Sequence, residues 1–377
     1  MGKKHNIAAL VLAAGYSSRM GDFKSLMPLG SATVIERAVH TFRQAGIMDI
    51  KVVVGYRAAE LIPVLSRLEV EYIFNENYEE GMFSSIQKGV LSLQPETEAF
   101  FLLPGDIPLV KSHTVRLLCR AFNKVKAEVI YPIFRNRRGH PPLIGASNFS
   151  EILSDNNIGG LRQILERREA TAYDVEVLDE GILLDLDTRE DYQKISTQYN
   201  RRDIPTQAEC DAILVRMNVP GTIVNHGRVV AQVARKLAIA LNQVGLSIDV
   251  NAVIAAGTLH DLAKGKPDHA RRGARMLKKC GYDKVAQIIA VHTDLEMGEE
   301  LLPNEASVVY LADKMVNCNS IVSVNERFSG AMDKYSGNAE AVAAIIERRQ
   351  RTQKIKKRIE ELLGISLEQI VTDPCYV

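Results

Sequence analysis

The segment from Ile7 to Gly30, IAALVLAAGYSSRMGDFKSLMPLG, begins with apolar residues and continues with glycines, serines and two cations. A strand that runs into Gly15 and Gly21 leaves backbone N–H groups open to the approach of an anion. Arg19 can place a forked guanidinium on phosphate oxygens, and Lys24 can add a point charge. The segment matches neither the Walker P-loop nor G-x-G-x-x-G. A phosphate-binding loop and a structural turn are both compatible with these residues.

Small and acidic residues follow three later apolar segments. Gly81 and the pair Ser84–Ser85 lie at the start of a predicted helix, where backbone N–H groups favour an anion or a polar ligand. Asp106, in LLPGDIPLV, follows a predicted strand, and a lone carboxylate there suits Mg²⁺ shared with substrate phosphates. Asp185 and Asp187 lie in LLDLDTREDY, and Asp187 is also well placed to cap the next helix. Metal binding and helix capping are therefore both open for Asp187.

Histidines and carboxylates form a second pattern in the later part of the chain. The residues concerned are His226, His260, Asp261, His292 and Asp313. Each lies on an otherwise apolar predicted helix, where a single histidine is usually a hydrogen-bonded core residue. Several such groups indicate a metal site, because burying them without partners costs on the order of several kcal/mol. Imidazole and carboxylate ligands suit Mn²⁺, Fe²⁺, Zn²⁺ or Mg²⁺.

The first half of the chain predicts an α/β domain. Short apolar segments alternate with amphipathic stretches such as Val34–Ala45 and Phe83–Leu93, which predicts a mostly parallel sheet covered on both faces. Ligands of such sheets lie beyond the carboxyl ends of the strands, so the loops after Leu12 and Leu103 are the places for chemistry. The predicted strands are Ile7–Leu12, Lys51–Val54, Val70–Phe74, Ala99–Leu103 and Val129–Tyr131.

The second half predicts an all-α domain. Its predicted helices are Thr222–Gln243, Val250–Ala263, His269–Cys280, Asp283–His292 and Glu305–Val316. We therefore expect an N-terminal domain over 1–197, a polar linker over 198–208, a helical domain over 209–335 and a helical tail over 336–377. The tail contains the charged helix Ala339–Leu363, whose basic run is typical of a solvated helix face or of a binding surface.

The composition limits the class of protein. The chain has 377 residues, which exceeds one typical domain, and 46% of them are apolar. A net charge of +1 gives no electrostatic case for nucleic acid or an anionic membrane as a partner. Five scattered cysteines without a C-x-x-C pair favour reduced thiols, and the apolar run Ile7–Ala14 is too short to span a membrane. These features predict a cytoplasmic protein.

Four separated motifs together resemble the molybdenum cofactor nucleotidyltransferases, over about residues 6–195. They are LAAGYSSRMG followed by lysine, G-D-x-P after a strand, RGHPPLIG and DLDTRED. The family's pattern implies a domain in which the Gly15–Lys24 loop holds a nucleoside triphosphate. Asp106 and an acid of the D-T motif then hold Mg²⁺, and the alignment favours Asp187 over Asp185. The proline that usually follows D-T is Arg189 here.

The resemblance implies transfer of CMP from CTP to molybdopterin with release of pyrophosphate. Family members with Ala-Ala-Gly in the loop tend to use CTP, and those with Ala-Gly-Gly tend to use GTP. Arg19 and Lys24 would stabilise the leaving pyrophosphate, and His140 lies on the acceptor side or in a plain loop. The implied nucleotide contacts are Ala13, Ala14, Gly15, Arg19, Gly21, Lys24, Gly81 and Ser84. A molybdenum enzyme or a chaperone that accepts the cofactor is a further expected partner.

The order of histidines and aspartates resembles the HD-domain metal-dependent phosphohydrolases, over about Pro205–Tyr335. The pattern H…HD…D maps onto His226, His260, Asp261 and Asp313. Lys264 matches the family's phosphate-side lysine, which would counter charge that develops on the substrate. His269 and His292 match the additional histidines of members that hold two metals. A phosphohydrolase of a nucleotide or phosphate ester and a regulatory domain that binds metal and nucleotide both fit this pattern.

Two other activities share parts of these patterns. A nucleotidyltransferase that acts on a sugar phosphate or on phosphocholine would use a similar loop, because acceptor-lining residues are where such enzymes diverge. A nucleotidyltransferase that modifies nucleic acid or protein would use a close D-x-D pair after a serine-rich loop. The candidate acids Asp106 and Asp187 are far apart in the sequence, which disfavours the latter class.

Overall fold

The structure is a computed structural model that describes residues 5–16, 22–154, 159–295 and 302–373. The chain divides into two compact units, Met1–Arg201 and Arg202–Val377. None of the described helices is long and apolar enough to cross a membrane.

A mostly parallel sheet forms the centre of the first unit, as the sequence predicts. In chain order the described strands are β1 (Ile7–Ala13), β2 (Pro28–Leu29), β3 (Ala32–Thr33), β4 (Ile50–Val54), β5 (Glu71–Phe74), β6 (Ala99–Pro104), β7 (Val129–Phe134), β8 (Arg137–Arg138), β9 (Leu143–Gly145), β10 (Ala172–Glu176), β11 (Val316–Asn317) and β12 (Ser320–Ile321). The sheet has the order β10-β7-β9-β6-β1-β4-β5, with β8 paired to β7. The strand β9 runs antiparallel to β6 and β7, whereas β1 is parallel to β4 and β6. The carboxyl ends of β1, β4, β5 and β6 therefore meet at one edge of the sheet.

Helices cover both faces of this sheet and make up most of the second unit. In chain order the described helices are α1 (Val34–Ala45), α2 (Ala58–Arg67), α3 (Met82–Leu91), α4 (Ser112–Phe122), α5 (Phe149–Ser154), α6 (Gly160–Glu166), α7 (Arg189–Asn200), α8 (Gln207–Arg216), α9 (Gly221–Gln243), α10 (Val250–Leu259), α11 (His269–Lys279), α12 (Asp283–Ala290), α13 (Glu305–Lys314), α14 (Val324–Lys334), α15 (Ala339–Leu363) and α16 (Leu367–Thr372). The helix α7 extends to Asn200, so the start of the segment predicted as a linker is helical.

The burial of β1 explains why its sequence is a continuous apolar run. Successive side chains of a strand point to opposite faces, and both faces of this strand are covered. Ala9 and Val11 pack in the core on one face, and Ala8 and Leu10 pack in the core on the other. A helix layer on each face thus fixes where β1 ends and where its loop begins.

Two glycines allow α9 and α10 to approach closely in the second unit. A Cβ on Gly227 would lie 2.7 Å from the carbonyl oxygen of Thr258, and a Cβ on Gly257 would lie 2.7 Å from Ala231 Cα. Side chains larger than hydrogen would therefore push the helices apart. This close packing brings His226, in α9, towards His260, which follows α10.

Candidate functional site

A cavity of about 370 Å³ lies beyond the carboxyl end of β1. The loops after β1, β5 and β6 form its wall, at the edge of the sheet where the sequence predicts chemistry. The lining includes six residues predicted from the sequence: Ala13, Ala14, Gly15, Lys24, Gly81 and Asp106. The predicted residues Arg19 and Gly21 lie outside the described residues.

Lys24 joins the two acids that the sequence separates by 81 positions. Its Nζ lies 2.6 Å from Oδ1 of Asp187 and 3.4 Å from Oδ2 of Asp106, and the residue is 8% exposed. A backbone hydrogen bond from Leu186 N–H to the Asp106 carbonyl, 2.9 Å long, holds the two acidic loops together. Two carboxylates that share one ammonium are close enough to share a metal cation, so this pair fits a Mg²⁺ site.

The electrostatics of Asp106 favour a cation beside it. Burial raises the pKa of Asp106 above its ordinary value, although the charge of Lys24 opposes this rise. A cation beside the carboxylate offsets the desolvation that its charged form suffers. Asp106 is therefore a carboxylate whose ionised form depends on a positive partner.

Asp187 is not the capping residue of α7. Thr188 is the N-cap, and its side chain accepts from the N–H of Asp191, whose carboxylate accepts in return from the N–H of Thr188. This capping box satisfies the start of the helix, so the capping interpretation of Asp187 is wrong. Asp185, the other acid of the motif, is exposed.

A cluster of histidines and aspartates lies in the second unit. His226 is in α9, His260 and Asp261 follow α10, His269 begins α11, and Asp313 is near the end of α13. His292 follows α12, two residues past its end. The ligand atoms of His226, His260 and Asp261 lie within 4.8 Å of one another, as do those of Asp261, His269 and His292. Asp261 therefore belongs to both groups.

The histidine rings of this cluster direct their Nε2 atoms at carboxylates. The Nδ1 atoms of His226, His260 and His292 bond to the backbone oxygens of Cys318, Gly257 and Ile289, at 2.9, 2.8 and 2.7 Å. A carbonyl oxygen can only accept, so each Nδ1 carries the proton and each Nε2 is left for a ligand. This arrangement is typical of metal-binding histidines.

Three buried polar atoms in the cluster make no hydrogen bond: Nε2 of His260, Nε2 of His269 and Oδ1 of Asp261. The distances between histidine Nε2 atoms and carboxylate oxygens in the cluster are nevertheless only 3.2 to 3.5 Å. Buried polar atoms without hydrogen bonds are rare, and one bound cation in each of the two ligand groups would satisfy all three. The donor set therefore fits a divalent metal.

The charges of the cluster also favour a cation. Burial alone would lower the pKa of His260, but Asp261 and Asp313 raise it to about 9. Burial alone would raise the pKa of Asp313, but the ammonium of Lys314 holds it well below its usual range. The two carboxylates thus stay ionised and attract positive charge to Nε2 of His260, as a proton or as a metal. Lys264 lies 2.8 Å from Oδ2 of Asp261 and is half exposed.

Comparison with known proteins assigns both units to families. Residues 9–172 match the model described as MobA-like NTP transferase domain, and residues 223–318 match the HD domain. The chain carries a MobA-like NTP transferase domain followed by an HD domain. The two predicted family resemblances and the predicted fold class are therefore confirmed.

Named relatives align with the NTP transferase domain. Molybdenum cofactor cytidylyltransferase of Escherichia coli (strain K12) is 28% identical over 194 residues, which cover 51% of this chain and 97% of that protein. Bifunctional protein GlmU of Trichormus variabilis is 26% identical over 173 residues, which cover 44% of this chain and only 38% of that protein. A solved nucleotidyl transferase from Methanothermobacter thermautotroptrophicus is 25% identical, with a TM-score of 0.47, and the match covers 53% of this chain and 100% of that chain.

Ser84, predicted to contact the nucleotide, does not line the cavity of the NTP transferase domain, whereas Ser85 does. The Ser84 hydroxyl lies 2.8 and 2.9 Å from the carbonyls of Asn77 and Gly81, and it accepts from the Asn75 side chain at 2.9 Å. Its hydrogen bonds therefore stabilise the loop before α3. Ser85, the second serine of the predicted Ser84–Ser85 pair, lines the cavity instead.

Three tyrosines at the cavity were missed in the sequence. Tyr16 and Tyr78 line it, and Tyr56 packs against Tyr16 with ring centroids 5.1 Å apart. Burial and the neighbouring carboxylate of Glu79 raise the pKa of Tyr16. Each tyrosine follows a strand by two to four residues, and that position was the available signal.

A second cavity of about 580 Å³ shares Met82 with the first. Its lining includes His140, which the sequence places on the acceptor side, together with Leu102 and Arg138. Burial lowers the pKa of His140, although the carboxylates of Asp106 and Asp185 oppose this effect. The imidazole therefore lies near Asp106 and Asp185 and at the wall of the second cavity.

Proposed function

We propose that the NTP transferase domain transfers CMP from CTP to molybdopterin and releases pyrophosphate. The observation that carries this proposal is the convergence of Asp106 and Asp187 on Lys24 at the wall of the cavity after β1. Nucleotidyl transfer needs positioning and charge neutralisation more than covalent help, and these three residues offer both. The E. coli relative carries the name of this activity.

The roles of the residues follow from their charges. Asp106 and Asp187 would hold Mg²⁺, which when bound neutralises charge on the phosphates. Lys24 would bind phosphate oxygens and stabilise the pyrophosphate that leaves, and we propose the same role for Arg19. The acceptor needs no general base, because its terminal phosphate is already an anion. Ala13, Ala14 and Gly15 leave their backbone open to the nucleotide.

The second cavity supports a site for the acceptor. It adjoins the first at Met82, and His140 at its wall is near the carboxylate of Asp106. Apolar side chains with a few polar groups at the wall are typical of sites for ring-containing ligands. We place molybdopterin there, with its terminal phosphate directed towards Asp106.

The decisive experiment measures pyrophosphate release from CTP, GTP, ATP and UTP with Mg²⁺, with and without molybdopterin. The proposal expects release from CTP that depends on molybdopterin. Pyrophosphate release from CTP with a sugar phosphate or phosphocholine, and not with molybdopterin, would support CTP as the nucleotide and contradict molybdopterin as the acceptor. Release from none of the four nucleotides with any acceptor would contradict nucleotidyl transfer.

We propose that the HD domain is a metal-dependent phosphohydrolase of a nucleotide or phosphate ester. The buried Nε2 atoms and the shared Asp261 support a divalent metal site, which activates water when it is filled. Lys264 is exposed enough to bind a substrate phosphate. Turnover of phosphate esters by the full chain with Mn²⁺ tests this activity. Metal and nucleotide binding without turnover would favour a regulatory domain.

A further inference from the structure

Three tyrosines converge where β1, β4 and β5 end. The rings of Tyr16 and Tyr56 have centroids 5.1 Å apart, and those of Tyr16 and Tyr78 have centroids 5.5 Å apart in an edge-to-face arrangement. Tyr16 and Tyr78 line the 370 Å³ cavity, and Tyr16 is 47% exposed. A partly exposed aromatic cluster at the wall of a cavity offers flat apolar faces to a ligand.

The backbone around the cluster holds the rings in place. The N–H of Tyr56 donates to the carbonyl of Ala14 at 3.2 Å, which ties the loop after β4 to the loop after β1. A Cβ on Gly55 would lie 2.7 Å from Tyr78 Cβ, so the tyrosine packs directly on the glycine backbone. The rings therefore form a fixed surface in the cavity wall.

A carboxylate lies beside these rings. Glu79 lines the same cavity beside Tyr16, whose pKa its carboxylate helps to raise. An ionised carboxylate has about four positions that accept hydrogen bonds, so it can accept from a ligand. It favours a ligand N–H group and disfavours a ligand carbonyl.

We propose that Tyr16, Tyr78 and Glu79 form a nucleobase subsite that selects a base with an exocyclic amino group. This inference rests on the nucleotidyl transfer proposed above, in which the base is cytosine. Bases stack on aromatic side chains, and a glutamate accepts from the cytosine amino group. Uracil has a carbonyl at that position, and its oxygen would oppose the carboxylate. Lys24 and Asp106 line the same cavity, so one nucleotide can place its phosphates near the cations and its base near the rings.

Calorimetric binding of CTP, UTP and inorganic tripolyphosphate to the full chain with Mg²⁺ tests whether the tyrosine rings stack on the base. Tyr78→Ala should weaken CTP binding about tenfold, because stacking is lost, and should leave tripolyphosphate binding unchanged. Tyr72→Ala is the matched control, since Tyr72 is an exposed tyrosine on β5 that does not line the cavity. Equal losses of CTP and tripolyphosphate in Tyr78→Ala would overturn the stacking role.

The same three probes test whether the Glu79 carboxylate selects CTP over UTP. The unmodified chain should bind CTP at least about tenfold more tightly than UTP, and Glu79→Gln should bring the two affinities close together, because the glutamine amide can also donate. Glu80→Gln, at an exposed neighbour that does not line the cavity, should keep the preference. A preference that survives Glu79→Gln would overturn the assignment. Failure of all three probes to bind would contradict the proposed nucleotidyl transfer itself, whereas tripolyphosphate binding with no gain for CTP would overturn only the subsite.

Discussion

The number of metal ions in the HD domain should respond in a graded way to three substitutions. His226 belongs to one group of candidate ligands, His269 belongs to the other, and Asp261 belongs to both. We expect two divalent ions in the intact domain, one in His226→Ala, one in His269→Ala and none in Asp261→Asn.

The expected loss of metal affinity in Asp261→Asn follows from the contacts of Asp261. Its Oδ1 lies 3.2 Å from Nε2 of His269 and 3.5 Å from Nε2 of His292, and its Oδ2 lies 3.4 Å from Nε2 of His260. Asparagine removes the negative charge and replaces one oxygen by a donor, so neither group keeps a complete ligand set. Loss of an outer partner of a metal ligand already costs roughly 10–100-fold in affinity. Loss of this shared ligand should therefore lower the affinity for each of the two ions by at least about 100-fold.

Metal content after titration with Mn²⁺ and dialysis, measured by mass spectrometry, tests this prediction. All variants should be made with Asp106→Asn, so that the NTP transferase domain does not contribute to the count. Asp294→Asn is the control, because Asp294 lies two residues past His292 and pairs with Arg351 on the surface at 2.6 Å. Two ions retained by Asp261→Asn, or loss of both ions in His269→Ala, would refute the shared-ligand reasoning.

Three further substitutions test other parts of the chain. Asp106→Asn should lower pyrophosphate release at least about 100-fold, because it removes charge from the proposed Mg²⁺ pair. It should leave the metal content of the HD domain unchanged. A parallel fall in pyrophosphate release and in metal content would contradict two separate sites. Ala14→Gly should lower the CTP-to-GTP ratio of initial rates, and an unchanged ratio would place base choice elsewhere. Burial would raise the pKa of Asp249, but Lys284 and backbone N–H groups outweigh burial and lower it. The ionised carboxylate therefore stabilises the fold above about pH 4, and this contribution is lost as the pH falls through the folded pKa. Asp249→Asn keeps a side-chain acceptor at the start of α10 and removes only the charge, so it should cost up to about 1 kcal/mol of unfolding free energy at pH 7 and little at pH 2. An equal cost at both pH values in denaturant titrations would contradict the ion pair.

The regular elements were predictable because apolar residues of the helices repeat with the helical period, whereas a strand buried on both faces is a short continuous apolar run. The predicted helix Val34–Ala45 matches α1, and the predicted strand Ile7–Leu12 differs from β1 by one residue. The helix predicted over Val250–Ala263 ends at Leu259 instead, so His260 and Asp261 lie just past its end. Leu262 and Ala263 continue the apolar pattern after Leu259, so the sequence did not mark the end of the helix.

Elements that depend on long-range pairing were not predictable. The strand β9 has three residues, and its antiparallel pairing with β6 and β7 comes from contacts between distant segments. The strand β10 has only partly buried or exposed residues, so its apolar pattern is weak. Such strands are specified by their neighbours in the sheet and not by their own sequences.

The sequence by itself determined the chemical groups of this protein. It supplied the glycine loop with Lys24, the separated acids Asp106 and Asp187, and the histidines and aspartates of the HD domain, because motifs record residue types and spacing. Only the tertiary structure decided which groups meet. It placed Lys24 between two acids 81 residues apart, made Asp261 common to two sets of ligands, and gathered three tyrosines from three strand ends. The physical reason is that distances below 6 Å between remote residues depend on strand order and helix packing, which act across the whole domain.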